Sequence, residues 1–334
     1  MEQIIVKTYS IDQINREEWD AQIFQFSNIA QTYEWAQYRQ SDRINPIFLI
    51  ATRQNITIGS WLVFVRETLL GTTVEIDSEP LIVDLDRRDE IIQVLFSKIE
   101  QTKPLEIIWS NYTLSHYASK EFFALNNFDT IQKYNAFIIN LNQDTSLIWE
   151  NMDKKVRNDI RFATKNKIKI VESENIKEYF LLDQITYKRS NLPPTNFTSL
   201  EKLFYIVKPT NLVRLFFAMQ YDKAISGAIL LCCGKKALYF KGATSDNPVR
   251  GSSNLLHWEI IKRLKTEGFD FYDLGGISLD FLNHKALGIQ RFKSGFGGNE
   301  FIFYGGIKIA KTIKGKLFRA AKLLYRIFKQ IWRK

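Results

Sequence analysis

Hydrophobic and polar residues follow two periods along this chain, that of a strand and that of a helix. Segments with the two periods occur in the same order in both halves. Alternation over short runs predicts β-strands, and apolar residues spaced three and four apart predict helices. In the N-terminal half the pattern predicts a strand ending at Ser10, helices over 12–24 and 32–40, strands over 47–52, 56–65 and 81–83, a helix over 89–101 and a strand over 106–109.

The C-terminal half shows the same order of elements. It predicts strands over 212–219, 225–233 and 237–243, a helix over 255–265 and a strand over 269–274. A strand, a hairpin, a helix and a further strand in the same sequence in both halves indicate a duplicated α/β unit.

A strongly basic helix is predicted between the two halves, in the stretch MDKKVRNDIRFATKNKIKIVES, residues 152–173. Apolar positions at helical spacing form its buried stripe, and Arg157 and Arg161 lie on the other sides. Such a face is either simply solvated or directed at phosphate, because the guanidinium fork matches phosphate oxygens. The pattern leaves both interpretations open.

Composition describes a folded protein, with 334 residues, 45% hydrophobic and 25% charged. The longest uncharged apolar run, 224–234, is too short to span a bilayer, and the N-terminus lacks a secretory signal pattern, so we expect a cytoplasmic protein. The two cysteines are adjacent on a predicted strand and the three histidines are far apart. We therefore expect no metal site.

The net charge of +10 is concentrated in the last thirty residues, which hold ten Lys or Arg and no Asp or Glu. Placed on a helix, residues 307–334 have one apolar side and one cationic side. This pattern is typical of a helix lying in a membrane interface, with packing on the protein body or gripping of tRNA as alternatives. The apolar side favours an anionic membrane surface, because tRNA would account for the cations only.

One lysine stands out in the stretch GIQRFKSGFGGNEFIFYGG, residues 288–306. Lys293 lies between Phe292 and a run of glycines, where the pattern predicts a tight, aromatic turn. A lone lysine in such a segment is either a solvated loop residue or a functional cation.

Four stretches in order resemble the Fem family of peptidoglycan bridge-forming aminoacyltransferases. They are QTYEWAQYRQ at 31–40, KKVRNDIRFATKNKIKI at 154–170, YFKGATSDN at 239–247, and FDFYDLGG followed by IQRFKSGFGG at 269–298. The resemblance implies an α/β fold of two tandem GNAT-like (acetyltransferase-like) domains with mixed sheets. We expect these domains over 1–150 and 151–306, followed by the basic amphipathic helix over 307–334.

The resemblance also implies roles for individual residues. Phe292 and Lys293 match the Phe-Lys step whose lysine stabilises the tetrahedral oxyanion, a charge that a preorganised cation in a dry cleft stabilises strongly. Glycines 295, 297 and 298 would let the backbone bend closely round that site. Trp35 and Arg39 match the motif that binds a phosphate of the precursor, although by pattern alone they are simply one turn apart on a helix.

The sequence allows two interpretations for each of two further side chains. Asp273, expected at a strand end, either binds the acceptor amine and accepts its proton or forms a turn before the glycine pair. Tyr239 either lines the cleft or belongs to the core.

A missing motif disfavours coenzyme A as donor. The segment before the long helix, Arg250–Asn254, lacks the glycine-rich pattern with which GNAT enzymes cradle the pyrophosphate of acetyl-CoA. The resemblance implies aminoacyl-tRNA as donor, with no cofactor, although the long coiled-coil arm of some family members has no counterpart here. We expect transfer of an amino acid to an amine of a lipid-linked or nucleotide-linked cell-wall precursor, at the inner face of the cell membrane. The alternatives are N-acylation of another amine in surface polysaccharide or lipid assembly, and a non-catalytic membrane scaffold.

Overall fold

A computed structural model describes residues 3–110, 119–190, 195–279 and 284–331. The N-terminal half carries the predicted strands and helices with small shifts at their ends. Its elements are β1 (Ile5–Ser10), α1 (Arg16–Phe26), α2 (Tyr33–Gln40), β2 (Asn45–Arg53), β3 (Ile56–Thr68), β4 (Gly71–Ile76), β5 (Leu81–Ile82), α3 (Arg88–Glu100), β6 (Glu106–Trp109), α4 (Lys120–Leu125) and β7 (Thr130–Asn140).

The C-terminal half again follows the predicted order, and it adds four helices that the pattern did not predict, over residues 145–151, 176–189, 197–207 and 284–294. Its elements are α5 (Thr145–Asn151), α6 (Lys154–Lys165), β8 (Lys169–Ser173), α7 (Ile176–Arg189), α8 (Phe197–Val207), β9 (Val213–Gln220), β10 (Lys223–Cys233), β11 (Lys236–Thr244), α9 (Ser252–Thr266), β12 (Phe271–Ser278), α10 (His284–Ser294), β13 (Asn299–Ile309) and α11 (Ile313–Ile331).

The chain forms two compact units that exchange segments. Unit 1 comprises Met1–Asp20, Ala30–Tyr134 and Phe303–Lys334, and unit 2 comprises Ala21–Ile29 and Asn135–Ile302. The chain passes from unit 1 to unit 2 within β7 and returns within β13. The domain limits that the sequence predicts, after residues 150 and 306, stay a prediction.

The sheet of unit 1 has the order β1-β2-β3-β4-β6-β13. Neighbours are antiparallel except β4 and β6, which run parallel. The end of β13, Gly306–Ile309, pairs with Glu106–Trp109 of β6. The predicted tail helix therefore begins at Ile313 and not at residue 307, because these backbone groups are already engaged in the sheet.

The sheet of unit 2 has the matching order β8-β9-β10-β11-β12-β7. Here too one internal pair, β11 and β12, is parallel, while β8 to β11 are antiparallel. The predicted α/β duplication with mixed sheets is thus confirmed.

Each unit has its own core. In unit 1, α3 packs on the sheet around the fully buried Trp61, Phe96 and Trp109. In unit 2, α6 and α9 cover the sheet, and Ile160 and Leu256 belong to one cluster. Burying a large apolar side chain stabilises a fold by about 1.5–3 kcal/mol, so these clusters hold each sheet rigid beneath whatever site it carries.

Candidate active site

A cleft of about 770 Å³ opens in unit 2. Its walls are residues 239–244 of β11, the segment 248–254 that leads into α9, and side chains of α7 and α10. β11 and β12 pair over residues 236–238 and 271–273, and the left-handed backbone of Gly275, with φ +77°, follows directly. An open edge between parallel strands is where α/β sheets commonly bind ligands.

Lys293 lies in the last turn of α10 and lines this cleft. Its side chain is buried, with 8% of the residue exposed, and Nζ donates hydrogen bonds to the carbonyl oxygens of Gly275 at 3.0 Å and Gly276 at 3.5 Å. The expectation of a tight turn at Lys293 was wrong. The segment continues as helix to Ser294, where Arg291 and Lys293 favour the negative end of the helix dipole.

The charge of Lys293 is set by two opposing effects. Burial lowers its pKa to about 8, and the nearby Asp273 carboxylate acts in the raising direction. Because this pKa is still above neutrality, the ammonium form predominates at pH 7. A cation held in a largely dry cleft interacts more strongly with a developing anion than the same cation would in water.

Asp273 lies inside β12, because the strand continues to Ser278, so the expectation of a strand end was wrong. It is buried, and its oxygens are both engaged. Oδ1 accepts the backbone N–H of Gly275 at 2.8 Å, and Oδ2 lies 3.1 Å from Nζ of Lys236. These contacts make Asp273 a turn former and a counter-charge, while a role toward the acceptor amine stays a prediction.

Gly275 makes room for the Lys293 ammonium. A Cβ on this residue would lie 3.3 Å from Lys293 Nζ and 3.2 Å from the Tyr239 carbonyl oxygen, on a backbone with positive φ. Both the conformation and the space therefore favour glycine. The glycine pair of the FDFYDLGG stretch was the signal in the sequence that could have indicated this role.

Aromatic rings surround the ammonium. Its Nζ lies 6.0 Å from the ring centre of Tyr239, whose pKa burial raises to about 12. The His257 ring contacts Tyr239 edge-on at 4.4 Å and Phe292 at 5.4 Å between centres. Tyr239 and Phe292 thus line the cleft and also pack against the core of unit 2.

His257 is a site residue that the sequence reasoning missed. It is buried, and its Nδ1 is hydrogen-bonded to Tyr272 Oη at 2.7 Å. Burial, and then the charge of Lys293, lower its pKa to about 3, so the ring is neutral. A polar residue within the apolar stripe of α9, three and four positions before Ile260 and Ile261, was the available signal.

The sequence comparison finds one family model that matches the C-terminal part of the chain. Residues 211–326, which include the cleft segment of β11, all of α9 and Lys293, match the model of the FemAB family. Over these residues the chain is similar to the FemAB family. No curated protein matches its sequence.

Solved structures of low identity share the fold. The crystal structure of FemX superposes with a TM-score of 0.74 at 15% identity, covering 94% of this chain and 99% of that one. L-PGS from Bacillus licheniformis (TM-score 0.57, 11% identity, coverage 92% and 96%) and a tandem GNAT protein of clavulanic acid biosynthesis (0.56, 11%, 93% and 99%) are also similar. The predicted tandem GNAT-like fold is confirmed. The FemAB match supports an acyltransferase.

The glycines after Lys293 serve packing. A Cβ on Gly297 would meet the Asn151 carbonyl oxygen at 2.2 Å, and one on Gly298 would meet the Ile138 carbonyl oxygen at 2.8 Å. For Gly297 and Gly298 the expectation that they bend round Lys293 was wrong, because their close contacts are with α5 and β7.

The two arginines of the basic helix α6 have structural partners. Arg157 Nη1 donates to the carbonyl oxygens of Trp149, Glu150 and Met152 at the end of α5. Arg161 lies over the Trp149 ring, 5.3 Å from its centre. The predicted buried stripe of α6 is confirmed, whereas phosphate binding by these arginines stays a prediction.

Trp35 and Arg39 lie together on α2 in unit 1 and share one partner. Trp35 Nε1 donates to Asp77 Oδ2 at 2.8 Å, and the Arg39 guanidinium pairs with Asp77 and Glu75. Burial raises the pKa of Asp77, and the charge of Arg39 opposes that rise. The contacts account for Arg39 as a buried ion-pair member, and its binding of a precursor phosphate stays a prediction.

Proposed function

We propose that this protein transfers an amino acid from aminoacyl-tRNA to an amine of a membrane-bound peptidoglycan precursor, with Lys293 stabilising the oxyanion. The observation that carries the proposal is the buried ammonium at the wall of the cleft. An ammonium has three N–H donors, and the carbonyl oxygens of Gly275 and Gly276 engage two of them. Among the residues that the structure describes, no other partner takes the third donor, which is left for a substrate oxygen.

The proposed reaction needs stabilisation of charge above all. The acceptor amine attacks the ester carbonyl carbon, a C–N bond forms, and the carbonyl oxygen becomes an anion beside Lys293. When the intermediate collapses, the bond to the terminal ribose oxygen breaks, and that oxygen takes the proton that the amine releases. The backbone carbonyls hold the ammonium in place beforehand, so little reorganisation accompanies the reaction.

Replacement of Lys293 tests the proposal. We expect Lys293→Met to lower the transfer rate by roughly 100-fold or more, since one preorganised donor to an oxyanion has about that effect. Lys265→Met is the matched control, because Lys265 Nζ also donates to two backbone carbonyls of unit 2, those of Leu141 and Gln143. Its activity, corrected for the folded fraction, is expected to match the unsubstituted protein. Full activity in folded Lys293→Met refutes the catalytic role of Lys293.

A second acyltransferase function is N-acylation of another amine with a coenzyme A donor. The observation that favours it is that residues 252–254, in the first turn of α9, line the cleft beside Gly251. Incubation with labelled glycyl- or seryl-tRNA and lipid-linked precursor, in parallel with labelled acetyl-CoA, separates the two. Label transferred from the tRNA donors only supports the aminoacyltransferase, and label transferred from acetyl-CoA only supports the second function.

A further inference from the structure

Helix α11 contacts the rest of unit 1 through a side that carries small and polar residues. Gly315 is buried near the Ala310 carbonyl oxygen, Phe318 is half-buried, and Lys322 Nζ forms an ion pair with Glu106 of β6. At 100° per residue, positions 315, 318 and 322 lie on one side of the helix. This side is therefore the one that faces the protein.

The apolar stripe of α11 lies on the opposite side. Ile313, Leu317 and Leu324 recur at spacings of four and seven, and they are 79%, 55% and 57% exposed. An amphipathic surface helix ordinarily turns its apolar side to its own protein, because that burial stabilises it. Helix α11 is oriented the other way, which marks the stripe as a surface for a partner.

The charges beside the stripe select the chemistry of the partner. Lys314, Lys316 and Arg319 are exposed, and no acidic residue follows Glu300 in the sequence. A partner must therefore offer anions at the rim and an apolar interior at the centre. Anionic lipid headgroups above acyl chains offer both, whereas a nucleic acid offers only the anions.

The length of α11 suits a position in the plane of the membrane surface. Its 19 residues extend about 28 Å. Within the ranges that the structure describes, no helix is both long and apolar enough to cross a bilayer. We propose that the outward face of α11, formed by Ile313, Leu317 and Leu324 with their flanking cations, docks the protein on an anionic lipid surface.

The docking face is tested by vesicle co-sedimentation of the full chain, which does not depend on catalysis. Vesicles of phosphatidylcholine with phosphatidylglycerol are compared with vesicles of phosphatidylcholine alone. The unsubstituted protein is expected to sediment with the anionic vesicles, and Leu317→Gln with Leu324→Gln is expected to lower the partition coefficient by about tenfold or more. Removing the flanking cations with Lys314→Gln, Lys316→Gln and Arg319→Gln is expected to abolish the preference for the anionic vesicles.

A matched control carries the same change on exposed leucines outside α11, Leu125→Gln with Leu181→Gln. It is expected to bind vesicles like the unsubstituted protein. Equal vesicle binding by the stripe variant and the unsubstituted protein overturns the proposal. The proposal is also overturned if the protein stays in the supernatant and binds tRNA instead. It is overturned likewise if the protein stays in the supernatant and analytical ultracentrifugation shows a dimer that the stripe variant disrupts.

Discussion

Lys293 Nζ lies 3.0 Å from the carbonyl oxygen of Gly275, and a single methyl group on Gly275 would lie 3.3 Å from that same nitrogen. The residue that holds the ammonium is thus also the residue whose missing side chain leaves room for it. The position of the cation therefore depends on β12 as much as on α10.

Gly275→Ala tests this relationship. We expect the free energy of unfolding to fall by about 1–2 kcal/mol, because an L-residue is strained at φ +77°. We also expect slower transfer, because Cβ crowds the Lys293 ammonium. Chemical denaturation and a transfer assay measure the two effects.

Gly288→Ala is the control for stability, since a Cβ there meets nothing within 4 Å. In helix α10 this change is expected to stabilise the protein by up to about 1 kcal/mol. Equal stability effects of the two substitutions would contradict the account of Gly275.

The buried Lys293 also predicts how stability depends on pH. The unfolded chain keeps this proton up to the ordinary pKa of 10.5, whereas the folded protein loses it near 8. Between these values the unfolded chain holds more protons, so the free energy of unfolding rises with pH. The penalty for the buried charge is fully present below about pH 8, amounts to up to about 3 kcal/mol, and disappears towards pH 10.5.

Urea denaturation from pH 7 to pH 10.5 measures this effect as the difference between the unsubstituted protein and Lys293→Met. The unsubstituted protein is expected to gain stability relative to the variant across the window. Two curves that stay parallel would mean that the Lys293 pKa is not lowered by folding.

The Tyr272 hydroxyl holds the neutral His257 ring. Tyr272→Phe removes the partner at 2.7 Å and leaves His257 Nδ1 buried without it. We expect a loss of about 1–3 kcal/mol in the free energy of unfolding, the usual effect of an unpaired buried polar group. Tyr221→Phe, at an exposed tyrosine, is expected to change stability by less than about 0.5 kcal/mol. An equally small effect at Tyr272 would show that this hydrogen bond does not support the ring.

Arg39 is expected to be structural before it is functional. Arg39→Met leaves the buried Asp77 carboxylate without its main counter-charge, so we expect a loss of about 3 kcal/mol or more by chemical denaturation. Arg66→Met is the control, because the more exposed Arg66 approaches the same Glu75 at 3.5 Å and should contribute no more than about 1 kcal/mol. Loss of precursor binding at unchanged stability would instead identify Arg39 as a phosphate ligand.

The pattern of the sequence predicted most of the frame because each half repeats strong local signals. The hairpin of β2 and β3 and the apolar stripe of α9 are examples, since alternation and helical spacing are properties of the chain itself. The pattern did not predict α10, because the glycine and aromatic residues of this segment locally indicate a turn. The helix lies where Phe292 packs against His257, a contact between residues far apart in the sequence.

The residues of the site also differ in how far the sequence alone could predict them. Lys293 was identified from its motif, but His257 and Gly275 were not assigned to the site, because their roles follow from what lies across the cleft. For Arg39 the motif implies a phosphate ligand, which stays a prediction, and only the structure shows that Asp77 and Glu75 pair with its guanidinium.

The sequence by itself determined the duplicated order of strands and helices, the motifs that resemble the Fem family and the acid-free, amphipathic tail, because periodicity, motif and charge are written residue by residue. Only the tertiary structure decided that Lys293 is buried on the Gly275 carbonyl and that the apolar stripe of α11 faces away from unit 1. Burial, pKa and the direction of a helix face depend on which distant residues surround a group, and folding alone brings those residues together.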